Sequence, residues 1–177
     1  MPDLWVFAYG SLLWDPGFAP AEIRRATLQG WRRSFCLWSV HWRGTPERPG
    51  LVLGLEAEPG ARCEGLAMGV AAGQEEAVLA ALRAREMVSA AYEERWLPLE
   101  TAAGAVEAVT YVIRPGHPQH ACLTPEDQAR TIAAARGLRG PNRDYLEAAA
   151  REFARLGIED PALTALLRRV RSLAGDH

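Results

Sequence analysis

Up to about residue 113 the pattern of apolar and polar positions is mostly that of strands; beyond it the pattern is mostly helical. Leu4–Tyr9 is a short apolar and aromatic run bounded by Gly10, which predicts a buried strand. Ala26–Val40 predicts a second, longer extended stretch rich in Trp and Phe. Arg43–Gly50 is punctuated by Gly and Pro and predicts a loop. Leu51–Ala57 and Glu64–Val70 predict two strands separated by turn chemistry at Glu58-Pro59-Gly60. Val78, Leu79 and Leu82 fall at helical spacing and predict a helix over Glu75–Arg85. Tyr92–Leu99 and Val106–Ile113 return to extended patterns, joined by a turn at Gly104.

The C-terminal third carries helix punctuation. Thr124-Pro125-Glu126-Asp127 supplies a cap, a proline at the first helical position and acids in the first turn, with a stop expected near Gly137. Asn142–Leu156 puts Tyr145, Leu146, Ala149, Phe153 and Leu156 on one face and meets Gly157. Asp160-Pro161 opens a last helix, with Leu163, Leu166, Leu167 and Val170 inward and Arg168, Arg169 and Arg171 outward. The sum is an α+β chain with a mixed sheet and packed helices, expected to form a single domain over residues 1–177.

Composition narrows the chemistry. The net charge of −2 gives no reason to expect a nucleic-acid or anionic-membrane partner. No apolar run reaches the roughly 20 residues that span a bilayer, and the N-terminus shows no signal-peptide pattern, so a cytoplasmic location is expected. Cys36, Cys63 and Cys122 are three and unpaired in spacing, which fits a reducing compartment. All 20 basic residues are Arg. The absence of Lys excludes Schiff-base chemistry, a pyridoxal-phosphate anchor and a P-loop. No cofactor is expected, and the sequence carries no signal for an oligomeric state.

Several positions carry candidate chemistry, each beside a plainer reading. Tyr9-Gly10-Ser11-Leu12 follows the first strand; it is either an ordinary strand-end turn or a nest of N–H groups that binds an anion. Glu86 sits at a helix exit, against the macrodipole, as a solvated surface acid or a functional one. Tyr145 lies on the apolar face of its helix, where a tyrosine usually belongs to the core. His117-x-x-His120-x-Cys122 fits no closed zinc pattern, and no metal is expected there. The aromatic load at Trp31, Trp38 and Trp42 fits core packing or a pocket wall.

The order and spacing of four blocks is more specific. Trp5-Val6-Phe7-Ala8-Tyr9-Gly10-Ser11-Leu12-Leu13-Trp14-Asp15-Pro16-Gly17-Phe18 is similar to the opening of ChaC-type γ-glutamylcyclotransferases. Gly30-Trp31-Arg32-Arg33 followed by Arg43–Gly50 resembles their second block, Arg85-Glu86 through Tyr92 the third, and Pro141–Leu146 the fourth. The resemblance implies a sheet curled into a small barrel, and a cofactor-free conversion of glutathione to 5-oxoproline and cysteinylglycine. It implies that Glu86 is the catalytic acid/base and that Tyr9, Gly10, Ser11 and Leu12 hold the γ-glutamyl group, with Arg43 and Tyr145 in the pocket. After Glu86 some members have a shorter loop containing Gly-Gly, whereas this chain has Met87-Val88-Ser89-Ala90-Ala91, a difference on the leaving-group side. Two other readings follow from the same resemblance: a cyclotransferase for other γ-glutamyl amines or dipeptides, and a non-catalytic regulator of cation transport. The acid at position 86 argues against the second, since a binding module need not keep it.

Overall fold

The structure is a computed structural model and describes residues 1–87 and 90–175. Its strands are β1 (Trp5–Ala8), β2 (Glu22–Ser39), β3 (Gly50–Gly69), β4 (Tyr92–Thr101) and β5 (Gly104–Ile113), with a small pair β6 (Arg136–Gly137) and β7 (Gly140–Pro141). Its helices are α1 (Glu75–Glu86), α2 (Pro125–Ala134), α3 (Asn142–Leu156) and α4 (Pro161–Leu173), and a 3₁₀ turn covers Ser11–Leu13.

Strands β1 to β5 close into a barrel in the order β1-β3-β2-β4-β5. The sheet is mixed. β1 runs antiparallel to β3 (Phe7 opposite Ala67) and parallel to β5 (Trp5 opposite Ala108), while β4 and β5 form an antiparallel hairpin from Tyr92–Ile113 to Thr101–Gly104. Closure leaves no free edge along these strands.

The chain divides into two compact units, each made of two sequence segments: Met1–Arg33 with Leu55–Pro115, and Ser34–Gly54 with Gly116–His177. The first holds the barrel core. Trp5, Phe7, Tyr9, Leu28, Leu55 and Leu99 pack together there, all nearly inaccessible to water. Successive side chains of a strand point to opposite faces, so Trp5, Phe7 and Tyr9 turn to this interior while Val6 and Ala8, also buried, face the other way. The second unit is built on α2, α3 and α4, whose inward faces carry Ile132, Leu146, Phe153, Leu166 and Val170.

Several expected boundaries move; β2, for one, begins at Glu22 instead of Ala26. Residues 50–69 form one continuous strand instead of two, because Glu58-Pro59-Gly60 is absorbed within it; Gly60 takes φ +85°, as Gly30 does at +84° in β2, and both relieve the bend of a long strand without ending it. α2 ends at Ala134, not near Gly137, because Arg136–Gly137 pairs with Gly140–Pro141. α1 continues through Glu86, and the Met87 N–H closes its last turn on the Arg83 carbonyl at 2.9 Å. The helix starts at Thr124 and Asp160 form as expected: Thr124 Oγ1 accepts from the Asp127 N–H at 3.2 Å and Asp160 Oδ1 from the Leu163 N–H at 3.0 Å. Among the described residues no helix is long and apolar enough to cross a membrane.

Candidate active site

Five of the seven predicted site residues fall in the barrel unit: Tyr9, Gly10, Ser11, Leu12 and Glu86. The first four lie where β1 leaves the barrel. Tyr9 itself faces inward. Its ring belongs to the barrel core and its hydroxyl donates to the Tyr111 carbonyl at 2.9 Å. Its own carbonyl accepts from Arg33 Nη1 at 3.0 Å, and the same nitrogen donates to the Glu64 carbonyl at 2.7 Å. Arg33 is buried, so it fixes the end of β1 from inside. Tyr9 thus anchors the turn from within, and Leu12 is buried beneath it, while Ser11 is partly exposed. In the 3₁₀ turn the Leu13 N–H donates to the Gly10 carbonyl at 2.9 Å. The N–H groups of Ser11 and Leu12 head the turn, where no intrahelical acceptor is available to them.

Glu86 is the last residue of α1. Acids open this helix (Glu75, Glu76) and Arg83 and Arg85 close it, as the macrodipole favours. Glu86 alone stands against that order. Its side chain is only 15 % exposed. Burial raises its pKa above the ordinary carboxylate range, and the positive charge of Arg85 opposes that rise without cancelling it. A carboxyl whose pKa is raised in this way holds a proton more firmly than a solvated one, as a group that both takes and returns a proton requires.

One guanidinium connects the acid to the turn. Arg85 Nε lies 3.6 Å from Glu86 Oε1, and Arg85 Nη2 donates to Ser11 Oγ at 3.1 Å. The gap between the carboxylate and the turn is therefore spanned by one side-chain head group, a separation that one small substrate can bridge. On the barrel side stands Tyr111, buried in β5. Its phenol donates to Glu94 Oε2 at 3.1 Å, and Glu94 is gripped by Arg83 through Nε at 2.8 Å and Nη2 at 2.9 Å. Burial, Glu94 and the charge of Glu86 all push the Tyr111 pKa up, so this phenol stays protonated as a fixed donor. Beyond Glu86, Val88 and Ser89 of the expected loop lie outside the described residues. Ala90 beyond them takes φ +53°, a left-handed conformation uncommon for a residue with a Cβ.

Arg43 and Tyr145 belong to the helical unit. Arg43 is half-buried and donates through Nη1 to the carbonyls of Arg139 at 3.1 Å and Pro141 at 3.2 Å. Its guanidinium sits 5.9 Å from the Tyr145 ring. The Tyr145 hydroxyl accepts from the Leu53 N–H at 3.2 Å, and its ring meets Phe35 edge-on at 5.9 Å. These contacts organise the start of β3 and the β6–β7 pair. In the same unit Asn142 is fully buried and pairs with Leu51 twice: Oδ1 accepts from the Leu51 N–H and Nδ2 donates to the Leu51 carbonyl, both at 2.8 Å. His120 and Cys122 lie 3.9 Å apart (Nε2 to Sγ), and His117 Nδ1 accepts from the Gln119 N–H at 3.1 Å.

Sequence reasoning did not single out Arg33, Arg85, Glu94, Tyr111 or Asn142. Arg85 was readable only as the neighbour of Glu86. The other four act through partners 24 or more residues away or across a hairpin, as in Arg33 to Tyr9, and no local pattern announces such pairing.

Comparison with known proteins agrees over nearly the whole chain. The profile of the family described as "ChaC-like protein" matches residues 4–173. A glutathione-specific γ-glutamylcyclotransferase of Escherichia coli (strain K12) is 36 % identical over 176 residues, covering 98 % of this chain and 75 % of the relative. Glutathione-specific γ-glutamylcyclotransferase 1 of Danio rerio is 33 % identical, covering 97 % of this chain and 92 % of the relative. In fold, the crystal structure of a yeast γ-glutamylcyclotransferase specific to glutathione superposes with a TM-score of 0.87 at 21 % identity, covering 97 % of both chains. With a profile match of this extent and relatives of this identity, the chain belongs to the ChaC-like protein family.

Proposed function

We propose that this protein is a glutathione-specific γ-glutamylcyclotransferase that releases 5-oxoproline and cysteinylglycine, with residues 1–177 acting as one catalytic domain. The observation that carries the reading is a withdrawn carboxyl, Glu86, tied through one guanidinium to the Ser11 turn. Its relatives named for glutathione supply the substrate.

The chemistry needs few parts. The α-amine of the γ-glutamyl group attacks its own γ-amide carbonyl, the five-membered lactam closes, and the C–N bond to cysteinylglycine breaks. Because the nucleophile is tethered, the enzyme mainly folds the substrate and moves protons. Glu86 takes the proton that the α-ammonium must lose and gives it to the departing amine. The N–H groups of Ser11 and Leu12 hold negative charge, either the α-carboxylate or the oxygen of the tetrahedral intermediate. Arg43 and Tyr145 take no step in the chemistry. In this reading the enzyme works in the cytoplasm, where thiols such as Cys36, Cys63 and Cys122 stay reduced.

A substrate panel tests the specificity. With glutathione, γ-glutamylcysteine and γ-glutamylalanine at equal concentration, kcat/KM for glutathione is expected to exceed the others by about tenfold or more. Equal or faster turnover of a dipeptide would make the protein a broader γ-glutamyl cyclotransferase.

A further inference from the structure

The guanidinium of Arg85 is used at every nitrogen. Nη2 donates to Ser11 Oγ at 3.1 Å, and Nη1 donates to the Asp15 carbonyl at 2.5 Å with the Asp15 carboxylate 3.8 Å away. Nε faces Glu86 Oε1 at 3.6 Å. The contacts therefore reach the first residue of the 3₁₀ turn, the residue two beyond its end, and the acid at the end of α1. Asp15 also closes back on the turn, its N–H donating to the Ser11 carbonyl at 2.8 Å. We propose that Arg85 is a positioning residue whose planar fork locks the Ser11–Asp15 segment and orients the Glu86 carboxyl against it.

Geometry favours arginine for this task. A planar head with fixed donors can bond two points of a turn and face a carboxylate at once, whereas a lysine ammonium supplies the charge without the fork. The charge also acts on Glu86. Burial pushes that carboxyl up and Arg85 pulls it down. Among the described residues, Arg85 is the cation whose charge lowers the Glu86 pKa. Tyr111 on β5 is neutral, its partner Glu94 on β4 is already neutralised by Arg83, and Asp15 beside the turn is acidic. Without Arg85 the Glu86 carboxyl is expected to hold its proton to higher pH.

The kinetic part of the test rests on the acid/base reading of Glu86; the structural part does not. In Arg85→Gln, ¹³C NMR titration of the Glu86 carboxyl is expected to show its pKa moved up, and amide exchange of Ser11–Asp15 is expected to quicken. In Arg85→Lys the titration is expected to stay near that of the parent while the exchange still quickens. In turnover of glutathione, Arg85→Gln is expected to raise KM about tenfold or more and to shift the acid limb of the kcat profile to higher pH; Arg85→Lys is expected to raise KM alone. Two folded variants with parental exchange would overturn the proposal, as would an Arg85→Gln titration that does not move. A parent without cyclotransferase activity would remove the functional reading, and the titration and exchange would still decide the role of Arg85.

Discussion

Replacing Glu86 by Gln is expected to lower 5-oxoproline release by about a hundredfold to ten-thousandfold, the range usual for a general acid–base group. The upper part of that range is expected, because Glu86 acts twice: on the α-ammonium before attack and on the leaving nitrogen afterwards. Gln keeps the shape and can hydrogen-bond, but it cannot take a proton. The Ser11–Leu12 turn is untouched, so KM should change less than kcat. The same change is expected to stabilise the fold at neutral pH. Burial raises the Glu86 pKa. A carboxyl so shifted holds its proton more tightly in the folded chain than in the unfolded one. Its contribution favours folding below the ordinary carboxylate range and is lost as the pH rises through the raised value. Gln has no such loss. The melting temperature of Glu86→Gln should therefore exceed that of the parent near pH 7, and the difference should shrink as the pH falls toward about 4. A variant with more than about a tenth of parental turnover would remove Glu86 from the acid/base role.

The second large effect is on stability. Asn142→Ala is expected to destabilise the protein by about 2–5 kcal/mol, because it strips partners from both backbone groups of Leu51, a residue with no exposed surface. The Asn142 amide imitates a strand here: it accepts one bond and donates one at the start of β3. Water does not reach either group to replace it. For a chain of this size the loss corresponds to a fall in melting temperature of roughly 5–15 °C. Asn142→Asp separates the two bonds. It keeps the acceptor for the Leu51 N–H but sets a carboxylate oxygen against the Leu51 carbonyl, so it too should destabilise. A thermal melt of Asn142→Ala within 2 °C or so of the parent would show that these bonds contribute little.

Much of the fold was legible because its signals are local. Asn142–Leu156 was bounded by its apolar face and Gly157, and the helix after Asp160-Pro161 by its cap. Turn chemistry at Glu58-Pro59-Gly60 was misleading for a physical reason. A glycine with positive φ can end a strand or bend one, and the choice is made by the neighbouring strand, which the segment itself does not reveal. The extension of α1 through Glu86 was invisible for a similar reason: helix termini are fixed by carbonyl capping after the last apolar position. In the candidate site, the acid and the turn were found through their order in the chain. What links them was not. Arg85 bonds Ser11 across 74 residues, and Tyr111 bonds Glu94 across a hairpin. The first depends on how the barrel closes and the second on the register of the β4–β5 hairpin, and alternation along a single strand specifies neither. Tyr9 shows the converse. Its place in the motif was plain, but the strand phase that turns its ring into the core became clear only with the barrel.

The central claim is that the γ-glutamyl bond is broken by the substrate's own amine and not by water. Incubating the protein with reduced glutathione in H₂¹⁸O distinguishes the two by the mass of the released γ-glutamyl product. Cyclisation predicts 5-oxoproline, equimolar with cysteinylglycine and without solvent oxygen. Release of glutamate carrying one ¹⁸O would contradict the account.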